Sequence, residues 1–136
     1  MIVPNLMVRD IARSVAFYRD GLGLALKFAL GPDREMLETP EGALFAVLEW
    51  DGVELMLQTV ESLAAELDVF SPDQAPAPGG TLYFRGMAPE AALARLPAAA
   101  VVKPTFRQWY GMREAYVQDP DGHVICLGVP DGAAPE

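Results

Sequence analysis

The sequence predicts an α+β fold: two βαβββ modules forming a curved, mostly antiparallel sheet cup, with the helices on its outer face. Three observations predict it. A strand–helix–strand–strand–strand order can be traced twice along the chain. Asp51-Gly52 lies between two apolar runs, the strongest short hairpin signal. A Pro/Gly-rich stretch, Ser71 to Gly80, separates the two repeats.

The elements follow in order. Residues 2–8 read as a strand, and Asp10 is placed to cap the helix after it. Ile11, Val15, Tyr18 and Leu22 fall on one helical stripe, and Gly21 and Gly23 stop it. Leu24 to Leu30 is a strand and Gly31-Pro32-Asp33 a turn. Ala43 to Trp50 and Val53 to Thr59 are the arms of the hairpin. Val60 to Phe70 has room for a short helix. In the second repeat, Thr81 to Arg85 is a strand, and Pro89 suits the first turn of a helix through Leu93 and Leu96, which Pro97 helps to end. Val101 to Phe106, Met112 to Gln118 and His123 to Val129 are strands, the last two joined by a type I turn at Asp119-Pro120-Asp121-Gly122. The expected boundaries are residues 1–60 for the first module, 61–79 for the linker, 80–130 for the second module and 131–136 for a tail. The repeat is one of architecture, since residue identity between the halves is slight.

Composition narrows the function classes. The chain has 136 residues, 51% of them apolar, enough for a real core and too many for wholesale disorder. Unbroken apolar runs are too short for a membrane span, and the N-terminus lacks the pattern of a secretion signal. One cysteine, Cys126, excludes an internal disulfide framework and fits the cytoplasm. The formal net charge of -9 argues against nucleic acid and anionic lipid as partners and favours a cationic small molecule, where the field does more than maintain solubility.

Strand parity assigns faces. Across the Asp51-Gly52 hairpin, Trp50/Val53, Leu48/Leu55 and Ala46/Leu57 make an apolar face. Glu49/Glu54, Val47/Met56 and Phe45/Gln58 make a mixed one. In the closing hairpin, Val117/Ile125 and Ala115/Leu127 are apolar, while Tyr116/Cys126 and Gln118/Val124 lie opposite. Thr81, Tyr83 and Arg85 share the second face of their strand, as Asn5 and Met7 do of theirs. Apolar walls with a few polar groups are how small-molecule pockets are lined. The candidate pocket is therefore Asn5, Met7, Phe45, Glu54, Met56, Thr81, Tyr83, Arg85, Trp109, Tyr116 and Cys126. Glu49 and Glu54 form either a carboxylate floor for a cationic group or a pair whose outer member simply sits in water. Glu54 is the best candidate for any catalytic role, although no partner acid is evident. Arg85 either pairs with Glu54 or meets the ligand. Tyr83, Tyr116 and Trp109 are suited to stack on a flat ligand or a cation. Cys126 reads as a small buried residue with an inert thiol, and His123, beside the tight turn, as exposed.

The opening Asn5-Leu6-Met7-Val8-Arg9-Asp10-Ile11-Ala12-Arg13-Ser14-Val15-Ala16-Phe17-Tyr18-Arg19-Asp20-Gly21-Leu22-Gly23-Leu24 resembles that of the vicinal oxygen chelate superfamily, which contains glyoxalase I, the bleomycin resistance proteins and extradiol dioxygenases. The segment from Trp109 to Leu127, with Asp119-Pro120-Asp121-Gly122 at its centre, resembles the closing hairpin of the same superfamily. The resemblance implies four metal-ligand positions, which fall here on Val3, Glu54, Thr81 and Cys126. Only Glu54 is a usual ligand. Cys126 is able to ligate zinc, and Asn5 is a poor substitute for Val3. A carboxylate completed by Val and Thr is not a metal cage.

No metal or other cofactor is expected. The reading that follows is a binding protein like the bleomycin resistance members, which sequester a flat, cationic antibiotic in a groove at a dimer interface. The alternative is a lyase or dioxygenase-type enzyme with a non-standard divalent metal site, and a third reading is a partner-binding module. The resemblance further implies a homodimer.

Overall fold

The computed structural model describes residues 1–132; the rest of the expected tail, 133–136, lies outside the described residues. Two compact units divide the chain, Met1–Pro76 and Ala77 onward.

The first unit runs β1 (Asn5–Val8), α1 (Ile11–Val15), a π-helical segment (Ala16–Gly21), β2 (Ala25–Leu30), a two-residue β3 (Met36–Leu37), β4 (Phe45–Trp50), β5 (Val53–Thr59) and α2 (Val60–Glu66). Its sheet has the order β1-β5-β4-β2-β3, with β1 parallel to β5 and the other pairs antiparallel. In the second unit β6 (Thr81–Arg85), α3 (Pro89–Arg95), a 3₁₀ turn (Ala98–Ala100), β7 (Val101–Arg107), β8 (Met112–Gln118) and β9 (Val124–Pro130) follow. Its sheet is ordered β6-β9-β8-β7, with β6 parallel to β9. The expected α+β class and the repeated βαβββ order are both present. No helix of the described residues is long and apolar enough to cross a membrane.

Local chemistry explains the elements. The Asp10 carboxylate accepts a hydrogen bond from the Arg13 N–H and caps α1. Ile11, Val15, Tyr18 and Leu22, the expected stripe, are all buried against the sheet. The helix is not uniform, however. From Ala16 its turns widen, and the Leu22 N–H reaches the Phe17 carbonyl, five residues back, before Gly23 at φ +87° ends it. At the β4–β5 turn, Asp51 and Gly52 both have positive φ, as a type I′ hairpin demands. At the β8–β9 turn one oxygen of Asp119 accepts from the N–H groups of Asp121 and His123.

Both hairpin registers are those that parity predicts: Glu49 opposes Glu54 and Phe45 opposes Gln58, Tyr116 opposes Cys126 and Ala115 opposes Leu127. The apolar faces form the cores of their own units, and Ala46, Leu48, Leu57, Ala115, Val117, Ile125 and Leu127 are fully buried. Each larger aliphatic side chain among them contributes about 1.5–3 kcal/mol by leaving water. The hairpin end is an exception, because Val53 is 49% exposed.

Other expectations need correction. The first strand begins at Asn5 rather than residue 2, because Pro4 has no N–H to give a ladder and Ile2 is exposed. The short β3, pairing with β2, was not expected. His123 is half-buried rather than exposed.

Candidate functional site

The mixed face of the first sheet carries Asn5, Met7, Phe45, Glu54 and Met56, and β1–β5 pairing sets Asn5 beside Met56 and Met7 beside Gln58. Asn5 Nδ2 donates to Gln58 Oε1 at 2.9 Å, and Gln58 Nε2 donates to Ser62 Oγ at 2.9 Å and to Glu66 at 3.3 Å. This chain of amides ties β1 and β5 to α2, and it satisfies a glutamine that is almost wholly buried. At this end of the face lies a depression of about 570 Å³, walled by Leu30, Leu44, Phe45, Gln58, Ser62 and Glu66. Of the residues expected to line a pocket, Phe45 does so directly, and Asn5 acts through Gln58.

The opposed carboxylates Glu49 and Glu54 do face each other, but they are not free to form a floor for a ligand. Lys27 of β2 lies 2.6 Å from Glu54 and 3.4 Å from Glu49. It thereby supplies the cation the pair needs, and their contacts hold its pKa above the usual lysine value. Both ion pairs are well exposed, so they offset like-charge repulsion without adding much stability. Arg85 is placed otherwise: its guanidinium lies 5.4 Å from the centre of the Tyr83 ring.

The second sheet builds its mixed face around a residue that sequence reasoning did not single out. Glu114 of β8 is fully buried beside Tyr83, Tyr110 and Cys126. The hydroxyls of Tyr83 and Tyr110 donate to Glu114 Oε2 at 2.5 and 2.7 Å. Glu114 Oε1, also buried, has no partner in full hydrogen-bond geometry among the described residues, although the Gln108 and Cys126 side chains lie beside the carboxyl. Tyr116 stacks on Phe106 of β7 at 6.2 Å. Gly128 of β9 opposes Glu114 and has ordinary φ, so it is there for space: a Cβ would lie 2.5 Å from the Tyr83 hydroxyl and 3.0 Å from Glu114 Cγ. Thr81 is exposed on β6, and Trp109 sits 92% exposed in the turn between β7 and β8, edge-on to Tyr110. The signal in the sequence was parity, which puts Glu114 on the face of Tyr116.

Burial opposes the charge of Glu114, but the hydrogen bonds from Tyr83 and Tyr110, with Gln108 and Cys126 behind them, outweigh it and hold the carboxyl below its usual pKa. The tyrosines move the other way. Burial, with the hydrogen bond to Glu114 next, raises Tyr83 well above the phenol norm, and the bond to Glu114 pushes Tyr110 up to about 12. Burial and then the Glu114 charge raise the Cys126 thiol to about 11, which makes it inert.

Stability follows with opposite signs. The depressed carboxyl contributes above the ordinary carboxylate value and loses its contribution as pH falls through the folded-state value. The raised phenols contribute below their ordinary value of 10 and lose it as pH rises toward about 12. The denaturation midpoint is expected to decline between pH 10 and about 12, less steeply in a Tyr83→Phe/Tyr110→Phe double variant. Equal slopes in the two proteins would exclude the phenols as the cause.

The implied metal positions do not fit an ion. Val3 offers no ligand and Thr81 only a hydroxyl, Glu54 is engaged by Lys27, and Cys126 is held as a thiol. Among the described residues, no three His, Cys, Asp or Glu side chains are grouped to hold a metal.

The comparisons agree with this fold. The profile of the Glyoxalase/Bleomycin resistance protein/Dioxygenase superfamily matches residues 2–127. The chain belongs to that superfamily. It is similar to a protein of unknown function from Agrobacterium tumefaciens, at 30% identity and TM-score 0.73, over 95% of this chain and 92% of that one. A glyoxalase-related enzyme from Fulvimarina pelagi shares 26% identity at TM-score 0.67, over 100% and 94% of the two chains. A lactoylglutathione lyase from Agrobacterium tumefaciens, 21% identical at TM-score 0.63 over 95% and 92%, shares the fold. No curated protein matches the chain in sequence.

Proposed function

We propose that this member of the superfamily is a metal-free binding protein that sequesters a flat, cationic small molecule, such as an antibiotic. The observation that carries the reading is the second module's mixed face, where aromatic side chains gather at a buried carboxylate held in its charged form. A buried anion among aromatic rings favours a planar cation, which gains from the charge and from the ring faces together. The net charge of -9 favours the same class of ligand during encounter. The donor set at the implied metal positions weighs against the enzyme alternative, in which Glu54 would have to give up Lys27 to a metal.

A ligand screen tests this. A flat cationic compound at 100 times its Kd is expected to add about 2.7 kcal/mol of stability, read as a raised melting temperature. After dialysis against zinc, manganese, iron and nickel the protein is expected to hold no stoichiometric metal. One tightly bound metal per chain, with an activity lost in Glu54→Gln, would overturn the reading. We further propose a cytoplasmic homodimer, since each sheet ends in edge strands that a second copy would cover. Light scattering that finds only monomer would remove the dimer.

A further inference from the structure

We propose that Glu114 Oε1 is the anchor for an N–H group on the ligand's cation, and that Tyr110 is the cover that moves aside to admit it. The inference rests on the binding reading above and specifies its ligand: an aromatic ammonium or amidinium that donates a hydrogen bond, rather than a cation without N–H.

Three features of the cluster lead there. First, the two oxygens of Glu114 are unequal. Oε2 accepts from both Tyr83 and Tyr110, while Oε1 is buried and has no partner in full hydrogen-bond geometry among the described residues, although Gln108 and Cys126 lie beside the carboxyl. A buried carboxylate oxygen is rarely left unmatched, and one in its ionised form calls for a donor. Tyr83 and Tyr110 both have their hydroxyls on Oε2, so their role toward Oε1 is to fix its orientation.

Second, the two phenols differ in how they are held. Tyr83 lies within β6, in register with Cys126 of β9. Tyr110 lies in the turn between β7 and β8, followed by Gly111 at φ +89°, and is 45% exposed although its hydroxyl touches a fully buried carboxylate. A turn residue spanning solvent and a buried charge can swing out, backbone included, with little loss of packing, whereas Tyr83, its backbone paired in the sheet, can shift only its side chain. Third, once Tyr110 turns away, two aromatic rings remain near the carboxylate beside Gln108 and Cys126: the Tyr83 ring, and the Tyr116 ring stacked on Phe106.

Benzamidinium and phenyltrimethylammonium separate the possibilities, since both are flat and cationic but only the first carries N–H. Both are titrated into the full chain, and into Glu114→Gln and Tyr110→Phe variants whose melting temperatures are checked for folding. Benzamidinium is expected to bind the wild type more tightly than phenyltrimethylammonium does, and to weaken roughly ten- to hundredfold in Glu114→Gln. It is expected to tighten several-fold in Tyr110→Phe, which keeps the ring but loses its hold on Oε2. In a Trp50→Phe background, benzamidinium should change the emission of Trp109, whose ring is 5.3 Å from that of Tyr110.

Equal binding of the two cations, or unchanged binding in Glu114→Gln, would overturn the anchor while leaving the binding reading in place. Weaker binding in Tyr110→Phe, or unmoved Trp109 emission, would overturn the cover. If neither probe binds while another flat cation raises the melting temperature, the anchor falls alone. If no flat cation binds at all, the binding reading falls with it.

Discussion

Replacing Leu48 with alanine is expected to destabilise the first unit by about 2–5 kcal/mol. Leu48 is wholly buried in the middle of β4, opposite Leu55 on the apolar face of the first sheet. Truncation removes the transfer free energy of the lost methyl groups and leaves a cavity that strands pinned on both sides cannot collapse to fill. Val53 is the internal control. It is an apolar residue on the same face by parity, but at the hairpin end it is 49% exposed, and Val53→Ala should change stability by no more than about 0.5 kcal/mol. Urea unfolding followed through Trp50 emission, in a Trp109→Phe background, compares the two within the unit that contains them. Similar midpoints for the two variants would mean that Leu48 does not pack into the core as its burial indicates.

That contrast marks how far the sequence could be read. Period-two alternation and one Asp-Gly turn were sufficient for the register of the β4–β5 hairpin, because a slip by one residue would have sent Leu48 and Leu57 into water. Asp10 was legible as a cap because capping is a local event. Lys27 was not legible as the partner of Glu49 and Glu54. Its position depends on how β2 pairs with β4, and that register shifts between Leu26 and Phe28. No alternation rule anticipates such a shift. Glu114 was hidden for a related reason. It shares the parity of Tyr116, but its burial depends on Tyr83, which is 31 residues away in sequence, and on a turn that folds Tyr110 back over it. The depression in the first unit was missed because α2 supplies one wall of it, and the docking of α2 through Gln58 depends on tertiary contacts.

Gly128 gives the second large effect, and it bears on the site itself. Gly128→Ala is expected to cost about 1–3 kcal/mol and to break the hydrogen bond between Tyr83 and Glu114. The added methyl would stand where the Tyr83 hydroxyl now approaches, at 2.5 Å, and would press on Glu114 Cγ at 3.0 Å. The Tyr83 side chain is the part able to yield, since the residue is 38% exposed whereas Glu114 is fully buried. Once Tyr83 is displaced, the carboxylate keeps the penalty of burial but loses the largest of the hydrogen bonds that offset it, so its pKa should rise. The same variant would therefore lower the melting temperature by roughly 4 °C per kcal/mol lost, and would move the acid limb of the stability profile toward neutral pH. A backbone strained by loss of glycine would do the first without the second. Gly128 is outside the positive-φ region, so both effects are expected together, and a fall in melting temperature with an unmoved acid limb would show that Tyr83 does not hold Glu114 in its charged form.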